Sequence, residues 1–305
     1  MKKFLKYCAL FVLLIVVMAI SVEFILRQVP NTYKYKYEWM QDNAEDVEVL
    51  VLGPSHTYNG IRPEFLEGNA FSLANVAQDF KQDLALLKYW ADRYKRLKTV
   101  IVPVSYMSWF INGMEYGAEK YRCRYYKIYM DCSLYPDWSL YNLEVSDIRS
   151  ASKKLVRYFR KEDGISCDKY GFGTHFGSHG KNMEAWNKGT DAVSAVKRHT
   201  ADSFEFIEAN YERMKEMAEF CKNRNVRMIL ITTPCWSTYY DNLDEKQLAK
   251  MYELIHRLQQ EYNLPYFDYL KDSRFVADDF HDCDHLSDIG AEKFTKILNK
   301  DIQSR

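Results

Sequence analysis

The chain has 305 residues, with 42 Lys/Arg against 42 Asp/Glu, 47% hydrophobic and 15% aromatic residues. That apolar content excludes a disordered chain, and the zero net charge lacks the basic excess of a nucleic-acid binder. A mean hydropathy of −0.43 excludes a polytopic membrane protein but leaves room for a single span.

Such a span opens the sequence. Lys2, Lys3 and Lys6 precede an uncharged run from Tyr7 to Val22, and Glu23 and Arg27 follow. Phe4 to Leu26 is long enough, at ~1.5 Å per residue, to cross a ~30 Å hydrocarbon core. The lysines favour an inside N-terminus, so residues 28–305 are expected in the periplasm or at the cell surface. A cleaved signal peptide is the competing reading; the length of the run and the lack of an A-x-A site favour an uncleaved anchor over 1–27. Six of the seven cysteines lie beyond it, where disulfides are allowed. Cys123 and Cys132 are the first candidate pair, while Cys221 and Cys235 sit in core-like patterns and read as buried thiols.

A tether covers 28–46, with a polar-aromatic helix over Tyr33–Asp42. Strands are expected over Val47–Leu52, Ala70–Val76, Val100–Val104, Val226–Thr233 and Pro265–Tyr269. Helices are expected between them. One carries Leu84, Leu87, Ala91, Tyr94 and Leu97 on one face. A second covers 201–224, with Phe204, Ile207, Tyr211, Met214, Met217 and Cys221 as its apolar stripe. The others run over Gln247–Tyr262 and from about Ile289 to Ile302. Strands alternating with helices mean an α/β fold whose parallel sheet is covered on both faces. Ligands in such folds bind beyond the carboxyl ends of the strands. Residues 106–200 interrupt the rhythm with many tyrosines and a cluster of Gly171, Gly173, Gly177 and Gly180, and carry 15 Lys/Arg against 11 Asp/Glu. They read as an insertion or cap within an α/β domain spanning 47–305.

Two segments carry chemistry. Gly53-Pro54-Ser55-His56 directly follows a strand, which puts the Ser55 hydroxyl at the sheet's active edge and its N–H where it could face an oxyanion. The plainer reading is a turn with Ser55 as N-cap. Asp282-Cys283-Asp284-His285 precedes the last helix, so that His285 could take a proton from Ser55 while Asp282 orients the imidazole. The plainer reading here is a polar loop in which Ser287 or Asp288 caps the helix. His281, Asp282, Asp284 and His285 are also possible metal ligands, but no further ligands are evident, so neither a metal nor a cofactor is expected.

Together the two segments resemble the SGNH (GDSL-type) hydrolase superfamily. Gly53, Ser55 and Gly60 match its G-x-S-x-x-x-x-G block, and Asp282 and His285 its D-x-x-H block. The anchor and the His285-Leu286-Ser287 to Gly290-Ala291 tail resemble a membrane-anchored branch with DltD-like (teichoic-acid D-alanylation) and alginate-acetylation proteins. The resemblance covers roughly 45–105 and 201–303. It implies a three-layer α/β/α, flavodoxin-like sheet of about five strands, with Ser55 as nucleophile, His285 as base and Asp282 as its orienter. The implied activity is that of an extracytoplasmic serine esterase or O-acyltransferase, acting on acyl, chiefly acetyl, groups of a cell-surface glycan. Implied partners are the membrane, an acylated carbohydrate and a polytopic membrane acyltransferase.

Two departures stand out. The family's oxyanion glycine is missing from Asn75-Val76-Ala77-Gln78, and Pro103-Val104-Ser105 replaces its asparagine block. The oxyanion candidates are therefore the Ser55 N–H together with the Ala77–Gln78 backbone, Asn75 or Ser105, with His56 and Gln78 as candidate substrate contacts. The departures also support a second expectation, an inactive SGNH-fold accessory or scaffold subunit of a glycan-acylation complex. His175 and His179 could reach a substrate, and Trp109, Trp138 and Trp186 could stack on sugar rings. Lys153, Lys154, Arg157, Arg160 and Lys161 form a basic run suited to anionic lipid or glycan.

Overall fold

The computed structural model describes residues 1–117, 119–132, 142–177 and 190–304. The chain forms two compact units. One combines Met1–Glu38 with Glu119–Ile165; the other combines Trp39–Ala118 with Ser166–Arg305. The expected insertion over 106–200 is thus divided. Its middle belongs with the N-terminal helix, and its flanks belong with the sheet.

In the first unit, α1 (Lys2–Gln28) is long and apolar enough to cross a membrane. Side chains are exposed from Met1 to Ser21, whereas Leu26 is fully buried. The transition is made by Glu23, whose carboxylate accepts from the backbone N–H groups of Glu144 and Val145 at 3.2 and 3.0 Å. All seven cysteines are free thiols. The expected Cys123–Cys132 pairing does not form because a helix, Cys123–Met130, separates the two. Cys123 opens that helix, whereas Cys132 lies past its far end, beyond the left-handed Asp131, with its N–H donating to Tyr126 O. Both sulfurs are buried, and burial pushes the Cys132 thiol up to about 12.

The second unit is a five-stranded, all-parallel sheet with helices on both sides. In chain order its strands are β1 (Val49–Val51), β2 (Ala70–Ser72), β3 (Thr99–Pro103), β4 (Arg227–Thr232) and β5 (Tyr266–Asp268), arranged β2-β1-β3-β4-β5. All five coincide with the apolar runs read from the sequence. Val100, Ile101 and Val102 of β3 and Ile229, Leu230 and Ile231 of β4 are fully buried, as strands covered on both faces must be.

Helices in this unit also follow the apolar stripes, with shifted ends. The one expected through Leu97 stops at Tyr89, because Trp90 caps it and the chain must turn back to reach β3; Lys98 and Thr99 already donate to the Glu48 carbonyl. The helix expected from residue 201 starts at Ile207, leaving Phe204 outside it. Residues 245–262 and 288–303 are helical as expected, the latter capped by Ser287, whose Oγ accepts from the Gly290 N–H.

This strand order reverses direction between β1 and β3. The crevice at their carboxyl ends is where open α/β sheets bind ligands. Gly53–Ser55 and Ser105 follow those two strands.

Candidate active site

Ser55 is held by a turn that only glycine permits. Gly53 has φ +110°, and a Cβ there would lie 2.1 Å from Pro103 Cγ. The chain then enters one helical turn, Ser55–Tyr58, in which Pro54, not Ser55, is the N-cap. The Ser55 side chain is therefore free to point away. Its Oγ lies 2.8 Å from His285 Nε2. His285 Nδ1 faces Asp282 Oδ1 and Oδ2 at 3.0 and 3.1 Å. Asp282 also accepts from the backbone N–H groups of Asp284 and His285, so one carboxylate shapes the loop and orients the ring. The loop is clamped by a Phe280–Leu286 bridge, a bond from His281 N to His285 O, and a bond from Trp236 N to Cys283 O beyond β4. Three residues separated by up to 230 positions thus form a continuous Ser–His–Asp chain.

A second, buried hydrogen-bond chain lies behind it. His56 Nδ1 meets Ser105 Oγ at 3.0 Å, and His56 Nε2 meets Asp284 Oδ2 at 3.0 Å. Asp284 Oδ1 also lies 3.5 Å from His285 Nδ1. His199 completes the cluster, with Nδ1 2.8 Å from the Tyr239 hydroxyl and 3.8 Å from Asp284 Oδ2. Burial disfavours the charged form of Asp284, but His285 and His56 outweigh it and hold the carboxyl well below its usual range. Burial likewise opposes charge on His285, yet the Asp284 and Asp282 carboxylates raise it to about 10. For His199, burial dominates and lowers the imidazole to about 4 despite Asp284.

The other sequence candidates fall into place around this core. Asn75 N donates to Gly53 O, continuing the β1–β2 ladder, which sets the 75–78 turn beside the Ser55 turn. Ala77 adopts φ +60°, a left-handed conformation natural to glycine, at the turn where a glycine was missed. The Asn75 amide donates to Leu73 O at 3.4 Å, and the Ser105 hydroxyl is engaged by His56. His56 and Gln78, expected as substrate contacts, are instead buried beneath the site. Both His56 nitrogens are occupied, and the Gln78 amide donates to Asp83 at 2.7 Å. Asp83 also accepts from the Gly53 N–H at 2.9 Å, tying the Ser55 turn to the 75–83 segment. Burial raises the Asp83 carboxyl to about 7 against those two bonds.

His175 is exposed; its neighbour Phe176 lies edge-on to the His285 ring at 5.0 Å and stacks on His281 at 4.2 Å. Trp109 is fully buried against Phe80 and Tyr211 and offers no sugar platform. His179, Gly180, Trp138 and Trp186 lie outside the described residues.

Ligand atoms of His56, Asp284 and His285 lie within 4.8 Å of one another, as do those of Asp282, Cys283 and Asp284. A cation placed among the first three would have to displace the His56–Asp284 bond or the bonds that orient His285. The donors of this cluster are used by one another.

Asp284, His199, Tyr239 and Phe176 were not legible as a set. Asp284 stood in the sequence only as a potential metal ligand, and the network spans the ends of four strands.

Residues 182–301 match the profile of a family described as a protein of unknown function (DUF1574). The match is to less than half of the chain. It takes in β4, β5 and the Asp282–His285 loop, and it ends far from Ser55 in sequence. No curated protein matches the chain.

Proposed function

We propose that the chain is a membrane-anchored serine acyltransferase or esterase working outside the cytoplasm on ester-linked acyl groups of a cell-surface glycan. The observation that carries the reading is the 2.8 Å approach of Ser55 Oγ to His285 Nε2, with Asp282 on the far side of the same ring. Ser55 Oγ bonds to the ester carbonyl carbon as its proton passes to His285 Nε2. The tetrahedral intermediate collapses, the C–O bond to the leaving alcohol breaks, and His285 returns the proton to that alcohol. Water or a glycan hydroxyl then releases the acyl group from Ser55 by the same steps in reverse. The Ser55 N–H heads its helical turn without an intrahelical partner and is the first oxyanion donor; in the Ala77–Gln78 backbone the Gln78 N–H already donates to Asn75 O, which leaves the Ala77 N–H as the second.

Support for the SGNH resemblance comes from the strand order, from the placement of Ser55 after β1, and from the loop that sets Asp282 and His285 before the last helix. The extracytoplasmic placement rests on Lys2, Lys3 and Lys6 ahead of the apolar helix. A fluorophosphonate probe should label the wild type at Ser55 and fail to label Ser55→Ala or His285→Ala. Undiminished labelling of Ser55→Ala, or full activity in that variant, would overturn the proposal.

A second reading, an inactive scaffold for a polytopic acyltransferase, draws on Ser105 being engaged by His56 and on the absence of the family's oxyanion residues. It predicts unchanged surface O-acylation in a Ser55/His285 double variant and loss on deletion of the whole chain.

A further inference from the structure

In the first unit the helix Cys123–Met130 is followed by Ile148–Arg160; they are called αA and αB here. At 100° per residue, Ile148, Leu155, Val156, Tyr158 and Phe159 of αB fall on one arc, and Arg149, Lys153, Arg157 and Arg160 on the opposite one. The apolar arc is not covered by protein: Ile148 is 82% and Phe159 72% exposed. An apolar patch of this kind marks a surface that another phase or molecule covers.

What covers it follows from the neighbour. αB packs on α1, the helix able to cross a bilayer. The contact lies at the end of α1's exposed apolar stretch, where Glu23 accepts from Glu144 N and Val145 N, three residues before αB begins. With α1 spanning, this is the depth at which hydrocarbon gives way to headgroups.

The basic arc borders a cavity of about 350 Å³ between the two helices. Arg122, Lys153, Lys154 and Arg157 line it together with Tyr121 and Tyr125, and among the described residues no carboxylate does. Arg122 is paired with Glu119. Lys154 is paired with Glu144 at 2.6 Å and sits 4.2 Å over the Tyr125 ring. Lys153 and Arg157 have no acidic partner among the described residues. Two uncompensated cations therefore converge on a concave, aromatic-walled space. That combination suits the oxygens of a phosphate, which accept from a guanidinium fork and an ammonium together.

We propose that αB is a second membrane-contacting element: its apolar arc enters the bilayer edge beside α1, and the αA–αB cavity holds the phosphate of an anionic lipid headgroup. The proposal rests on α1 spanning a bilayer and is independent of the chemistry proposed for Ser55. Its effect is to bind the anchored protein to lipid at a second point, selectively for anionic lipid.

The test is amide hydrogen exchange over 148–160 in the full chain, in nanodiscs of phosphatidylcholine with and without phosphatidylglycerol. Protection should be greater with phosphatidylglycerol. The variant Lys153→Gln/Arg157→Gln should lose it by about 30-fold, since each interfacial cation is worth roughly fivefold. The charge-reversing Lys153→Glu/Arg157→Glu should lose more, with amide exchange over β3 and β4 unchanged in both as evidence of an intact sheet unit. Equal protection in the two lipids, or protection insensitive to both double variants, would overturn the proposal. So would inorganic phosphate reproducing the protection in phosphatidylcholine alone, because the ligand would then be a solution anion and not a lipid.

Discussion

Replacing Asp284 with asparagine should shift the pH dependence of the serine site toward neutrality. His285 must be uncharged to accept the Ser55 proton, but the Asp284 and Asp282 carboxylates outweigh the effect of burial and raise it to about 10. The wild-type rate of fluorophosphonate labelling should therefore climb roughly tenfold per pH unit through neutrality and level off only in the alkaline range. Asp284 Oδ1 stands 3.5 Å from His285 Nδ1. A unit charge at about this distance is worth about 4 kcal/mol at an effective dielectric constant near 20, or roughly 3 pKa units. Asp284→Asn is nearly isosteric and removes that charge while Asp282 still orients the ring. Its labelling should level off near neutral pH. At pH 7 it should match or exceed the wild type, because more of the imidazole is neutral. At alkaline pH it should fall behind, because a weaker base takes the proton less well. Thermal unfolding of the variant checks that the buried His56–Asp284 contact is not needed for folding. A wild-type profile that levels near the ordinary imidazole value, or one that Asp284→Asn leaves in place, would refute the argument that this buried carboxylate governs His285.

Two further outcomes follow from the geometry. The Asp83 carboxyl is raised in the fold to about 7, so the folded state holds its proton more tightly than the unfolded chain does. The stability this confers is fully present below the unfolded value near 4 and is lost as pH rises through about 7, by up to about 4 kcal/mol. Asp83→Asn keeps the acceptor for Gly53 N and Gln78 Nε2 and should flatten that part of the stability–pH curve; an unchanged slope in denaturant titrations would contradict it. Separately, a truncation beginning at Val22 retains Glu23 and Leu26, whereas one beginning at Val29 removes the acceptor of two backbone N–H groups and a buried apolar side chain. The shorter chain should be cleaved faster by protease within 119–165, and equal resistance of the two truncations would show that α1 does not support that segment.

The sequence by itself determined the elements. Strands such as Val100–Val104 and Val226–Thr233 are continuous apolar runs, and a parallel strand covered on both faces needs exactly that pattern, so the signal is local. The same holds for the helix behind three lysines, long and apolar enough to cross a membrane, and for the stripe from Ile207 to Cys221. It also singled out Ser55, Asp282 and His285, because a serine after a strand and an acid three residues before a histidine are short-range patterns. Where helices ended was less legible: the stop at Tyr89 is imposed by the return to β3, which no nearby residue announces.

Only the tertiary structure decided which of the polar residues meet. His56 looked like a substrate contact beside the serine, yet the helical turn from Ser55 to Tyr58 sends the two side chains different ways, one to His285 and one to Asp284. Asp284 is one residue from His285 and 228 from His56, so its position between them depends on strand order and not on spacing. The pairing expected of Cys123 and Cys132 failed for the converse reason, since residues near in sequence fall at the two ends of a helix once those between them are helical. Local pattern fixes which face a side chain occupies; the crossing of β1, β3 and β4 fixes what it faces.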